Sequence, residues 1–168
     1  MRARGESSLL DSLVDGSTSI VRAGSTSQPV SLVYFPIAEL NPFQSLLYSR
    51  GFENGYCCVG TNSIEELLEI NWPWPIFLHV HWLGNVIGNA ESEFVAGSRL
   101  GSYIRAIESF KDNGGGLLWT VHNTLPHDAI LTRQQIELRQ RISELCDGYH
   151  IMNRDTPKIV EPFFKIDP

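Results

Sequence analysis

Between Gly114 and Asp128 the chain reads Gly-Gly-Gly-Leu-Leu-Trp-Thr-Val-His-Asn-Thr-Leu-Pro-His-Asp. A glycine turn leads into a short apolar run with β-branched members. The run empties into a polar loop with two histidines, an asparagine and an aspartate. This is the pattern of a buried strand and its exit loop. In open α/β sheets, ligands bind outside the carboxyl ends of such strands.

The pattern recurs along the chain. Val30 to Phe35, Tyr56 to Val59, Ile76 to Val80 and Asp147 to Met152 read as further strands. The third is almost continuously apolar, as strands buried on both faces are. Helical segments separate them. Asn41-Pro42 reads as an N-cap followed by proline at the first helical position. Its helix carries Phe43, Leu46 and Leu47 on one face. Ser63 caps a short helix over Ile64 to Ile70. Leu100, Tyr103, Ile104, Ile107 and Phe110 recur at helical spacing within Glu91 to Lys111. Thr132 to Cys146 forms another helix, and Pro157 to Val160 a last short one. Alternating strands and helices imply an α/β domain of Rossmann-like, three-layer type. Its sheet is mainly parallel with about five strands, and helices lie on both faces.

The chain has 168 residues, enough for one domain with a sizeable core. Residues 1–29 are rich in Ser, Gly and Thr and bury little, so a flexible tail is the expectation, with room for a short helix at Ser8 to Val14. The domain proper then runs over 30–168. A formal net charge of −6 argues against broad electrostatic capture of nucleic acid. Three cysteines, Cys57, Cys58 and Cys146, form no disulfide framework or zinc spacing. They suit a reduced, cytosolic compartment as buried filler. No apolar run is long enough to span a bilayer, and the N-terminus lacks a signal-peptide core.

Strand exits nominate the chemistry. His81-Trp82 follows the third strand, and His122, Asn123, His127 and Asp128 follow the fourth. Glu39 and Asn41 follow the first. Phosphate-cradling glycine motifs are absent, as is the serine-hydrolase elbow. His79 and His81 are two apart on a strand, so their side chains face the same way. Two imidazoles so placed, completed by His122 or Asp128, raise a metal-dependent hydrolase as an alternative. A non-catalytic α/β binding module is a further alternative. Trp119 reads as core. Trp82 suits an apolar wall or a stacking surface for a sugar.

The run Trp119-Thr120-Val121-His122-Asn123-Thr124-Leu125-Pro126-His127-Asp128 resembles a strand-exit signature of bacterial GT-B glycosyltransferases. Asn41 to Tyr48, Phe77 to Trp82 and Glu144 to Met152 are similar to further segments of that family. The resemblance extends from about Val30 to Val160. It implies the N-terminal, acceptor-side domain of an enzyme with two Rossmann-like domains. The Glu-rich donor motif of the C-terminal domain has no counterpart here, and this domain alone is expected to be inactive. The implied partners are a nucleotide-sugar donor and a saccharide or lipid-linked acceptor, without cofactor or metal and without nucleic acid. The implied setting is exopolysaccharide biosynthesis at the inner face of the cell membrane; Arg133, Arg139 and Arg141 could supply a basic contact surface there, although a solvated helix face is the favoured reading of them. Within it, His122, Asp128 and His127 are the catalytic candidates. Glu39, Asn41, His81, Trp82 and Asn123 are the substrate-binding ones.

Overall fold

A computed structural model describes residues 8–125 and 131–166. Five strands form one all-parallel sheet. They are β1 (Val30–Phe35), β2 (Tyr56–Gly60), β3 (Ile76–Val80), β4 (Gly116–Val121) and β5 (Gly148–Ile151). Their order is β2-β1-β3-β4-β5, the order of one common class of doubly wound sheet. Val30 to Tyr34 pair in register with Tyr56 to Gly60, and Leu118 to Val121 with Gly148 to Ile151. The fold is Rossmann-like, as the alternation of segments implies. Among the described residues no helix is long and apolar enough to cross a membrane. The chain divides into two compact units, residues 1–78 and 79–168.

The first unit corrects the expected flexible tail over about half its length, extending the short helix allowed at Ser8 to Val14. Leu9–Arg22 is helix α1, with a reciprocal cap between Ser8 and Asp11. Leu9, Leu13, Ser17 and Ile20 are buried at helical spacing, so this face docks despite the polar composition around it. Leu13 and Ile20 are fully buried. Each such side chain contributes about 1.5–3 kcal/mol on burial, which offsets the cost of ordering a segment rich in Ser and Thr. Gly16 lies against Cys57: a β-carbon there would come within 2.5 Å of its sulfur.

After β1 a cis Phe35–Pro36 bond leads to helix α2 (Pro42–Leu47). Asn41 caps it through the Phe43 N–H. The apolar face expected here does not pack. Leu46 is 70% exposed, and Gln44 is buried in its place. The Gln44 amide donates to the Pro36 carbonyl and accepts from the Ala38 N–H. It thereby satisfies backbone groups of a loop that has no strand partner. A 3-10 turn spans Phe52–Asn54. Helix α3 (Glu65–Leu68) starts from Ile64 without the expected Ser63 cap; the Ser63 hydroxyl bonds to Glu65 instead. Trp72 donates its indole N–H to the buried Ser31 hydroxyl.

In the second unit, helix α4 (Gly84–Ile87) precedes the long helix α5 (Glu93–Asp112), which Ser92 caps. The expected stripe is buried: Leu100, Tyr103, Ile104, Ile107 and Phe110. Gly114, at φ +88°, makes the turn into β4, a conformation that side chains other than glycine resist. Gly115 passes so close to the Phe110 ring that no β-carbon fits. Asp147 then locks the turn. Its carboxylate accepts from the Leu117 N–H and from the Lys111 ammonium, which also reaches the Leu145 carbonyl.

Trp119 is the largest fully buried side chain, packed at 5.1 Å from the Phe164 ring. Its replacement by alanine should cost about 3–5 kcal/mol, read as a fall in the urea midpoint at unchanged slope. A loss below about 1 kcal/mol would be that of an ordinary surface change and would remove Trp119 from the core. Helix α6 (Thr132–Leu145) packs on α5 and buries Leu138 and Ile142, and helix α7 (Thr156–Val160) follows β5. Cys57 is buried and Cys58 and Cys146 are half-buried; burial raises Cys57 and pushes Cys58 and Cys146 up to about 11.

Candidate functional site

The second unit gathers four histidines at neighbouring strand ends. Side chains two apart on a strand share a face. His79 and His81 therefore project together from the end of β3, and their rings lie 4.4 Å apart. On β4 the same rule pairs Thr120 with His122. Parallel register sets Thr120 opposite His150 on β5. Rows of polar side chains thus meet where the apolar strands end.

Two hydrogen-bonded groups result. The Thr120 hydroxyl is 2.8 Å from His79 Nε2 and 3.3 Å from His150 Nδ1. His81 Nδ1 is 3.3 Å from His122 Nε2. Trp82 covers the second group: its ring stacks on His122 at 4.5 Å and 13°. Thr120, His79 and His81 are buried, and His122 is half-buried at the rim.

Burial disfavours charge on these rings, and the neighbouring histidines add to the effect. Desolvation, followed by His150 and His122, lowers His79 from 6.5 to about 4. Desolvation, followed by His79, His122 and His150, lowers His81 to about 2. Desolvation and then His150 lower His122 to about 4. All three rings are neutral at pH 7. A neutral imidazole offers one donor and one acceptor, so this is a polar, uncharged and aromatic surface. It can pair with hydroxyl groups. With a pKa well below the working pH, His122 is a weak proton acceptor.

The structure brings His81, Trp82 and His122 together. His81 lies beside His122 at 2% exposure. Asn123 follows on the exposed rim. His127 and Asp128 lie outside the described residues. In the first unit, Glu39 is exposed beside Leu40 and Asn62 in a surface depression. Asn41 spends its side-chain oxygen on the cap of α2.

Asp128, one ligand of the metal alternative, lies outside the described residues. Among the described residues no group of three or more His, Cys, Asp or Glu side chains is placed to hold an ion. His79 Nε2 turns to Thr120 rather than to a point shared with His81 and His122. The basic surface is corrected. Arg139 is 2% exposed, with its guanidinium bonded to the Gln135 carbonyl and amide oxygens. Burial lowers it to about 10. Arg141 is held by Glu108 and Glu144.

Sequence reasoning missed Thr120 and His150. The available signal was strand register: both residues lie on the row that His122 continues. The opposite row of β5 carries Tyr149, which lines a separate cavity of about 860 Å³ with Phe163, Phe164 and Lys158. No family model matches the chain, and no curated protein matches it.

Proposed function

We propose that this chain is the acceptor-side domain of a GT-B glycosyltransferase. It would move a hexose from a nucleotide-sugar to a polysaccharide or lipid-linked acceptor, on the cytoplasmic face of the membrane. One observation carries the reading: the half-buried His122 at the exit of β4, with Trp82 stacked flat on it. It falls within the segment that resembles the family signature. A neutral imidazole beside an indole suits the alternating hydroxyl and C–H surface of a sugar ring, and it offers little to a phosphate.

In this reading Trp82 forms the apolar wall. His122 orients a sugar hydroxyl by hydrogen bonding and stabilises the polarity that develops during transfer. The nucleotide-sugar is held mainly by a second domain outside these residues. His127 and Asp128 remain candidates for the proton-accepting role that His122 fills poorly.

The complete gene product should release a nucleoside diphosphate from a nucleotide-sugar when a saccharide acceptor is supplied. Separately, titrating this chain with uncharged oligosaccharides should shift the NMR signals of Trp82 and His122 before those of Trp72 and Trp74. The absence of both turnover and such shifts across a panel of sugars and acceptors would end the proposal.

A further inference from the structure

We propose that His81 is the positioning residue of His122, accepting at its Nδ1 a hydrogen bond from the Nε2–H of His122 and so fixing the tautomer that His122 presents. The inference deepens the reading of His122 as a partner for a sugar hydroxyl and rests on it for the direction of the bond.

The geometry leaves few arrangements. The two facing nitrogens are 3.3 Å apart. At that separation exactly one proton belongs between them, because two lone pairs or two N–H groups would repel. If His81 supplied the proton, Nε2 of His122 would be the acceptor and the ring would carry its own proton on Nδ1. The lone pair of His122 would then be spent on a buried neighbour. If His122 supplies it, the lone pair lies on Nδ1, the nitrogen not aimed at His81. Only this second arrangement gives a histidine that accepts from a hydroxyl. It also lets His122 gain a proton at Nδ1 without disturbing His81.

His81 is built for the part. It lies at 2% exposure, so water does not compete for its Nδ1. The His79 ring at 4.4 Å flanks it on its own strand. Trp82, the next residue along the chain, stacks on His122 and sets the plane of that ring. One dipeptide, His81-Trp82, thus fixes both the orientation and the proton position of the rim histidine. The arrangement parallels the carboxylate that orients a catalytic histidine in hydrolytic triads. Here a neutral ring replaces the carboxylate, so the partner is oriented without being made a stronger base.

The test is the imidazole 15N spectrum of the folded chain at pH 7, with His122 assigned by loss of its signals in His122→Gln. The expected wild-type result is His122 with Nε2 protonated and Nδ1 bare. His81→Leu removes the acceptor and should move the tautomer ratio of His122 by about two- to tenfold, the worth of one net hydrogen bond. His81→Asn, whose side-chain oxygen accepts, should restore it. A merely structural role would lower thermal stability and leave the ratio unmoved. Three results overturn the inference: a wild-type His122 protonated on Nδ1, a folded His81→Leu variant with an unchanged ratio, or a folded His81→Asn variant that matches His81→Leu. If His81→Leu fails to fold, the wild-type spectrum still decides. These spectra need no substrate, so an absence of sugar transfer would sink the functional proposal and leave this result standing.

Discussion

Taken from pH 7 to pH 4, the chain is expected to lose on the order of 3 kcal/mol of folding stability at either of the buried rings His79 and His81 taken singly, and less at His122, which is half-exposed and screened by solvent. The native pKa values of about 4, 2 and 4 lie below the unfolded value of 6.5. Below 6.5 the unfolded chain therefore binds protons that the native chain refuses. Stability is whole above that pH and falls as pH drops toward 4, with His81 extending the loss toward 2. The rings depress one another, so their losses do not add in full, yet one alone is a sizeable part of an ordinary domain's stability of about 5–15 kcal/mol. Stability is therefore expected to begin falling near pH 6.5, before the carboxylates titrate. The carboxyl of Asp147 does not confuse the window. Partial burial raises it, but Lys111 and the Leu117 N–H more than compensate and hold it below its usual 3.8, so its contribution is lost only at lower pH. Urea midpoints measured from pH 7.5 to 4 provide the check. A flat profile down to pH 4.5 would mean that the histidines are not neutral and buried as a group.

The second large effect concerns turnover. If the protein transfers sugar as proposed, His122→Ala should lower kcat about 10²–10³-fold, the usual cost of removing a preorganised hydrogen-bonding group that acts in the transition state. The fold should survive, because His122 is half-buried at a strand exit and Trp82 can settle into the space. His122→Gln keeps a donor and an acceptor and should fall between the two. Wild-type turnover in a folded His122→Ala variant would remove His122 from the mechanism and leave Trp82 as a surface aromatic.

The strands were legible in the chain because their information is local. Val30 to Phe35 and Ile76 to Val80 are apolar runs bounded by proline or by histidine and glycine, and both form strands over those same residues. The first helix was legible only in its first turns, as the short helix allowed at Ser8 to Val14, and its run to Arg22 was not. Its face includes a serine, and Gly16 and several hydroxyl residues dilute the apolar periodicity to three large side chains in fourteen positions. Gln44 was hidden for a different reason: it answers the backbone of a neighbouring loop, a demand that periodicity does not express. At the site, His122 and Trp82 could be found from strand exits alone. Thr120 and His150 could not, because they meet through register between β4 and β5, thirty residues apart. The burial of His81 likewise depends on what packs around it, which a two-residue spacing does not reveal.

The docked first helix turns Cys57 into a chemical gauge. Its thiol lies at 4% exposure, 3.7 Å from the Leu13 carbonyl and against Gly16. A thiol reagent reaches it only when α1 lifts from β2, so the labelling rate at low reagent excess reports the free energy of that local opening. Shortening the chain from its N-terminus past Leu13 would take this shield away. Cys57 would then modify at the rate of an ordinary strand thiol while the histidine cluster, in the other unit, kept its spectrum.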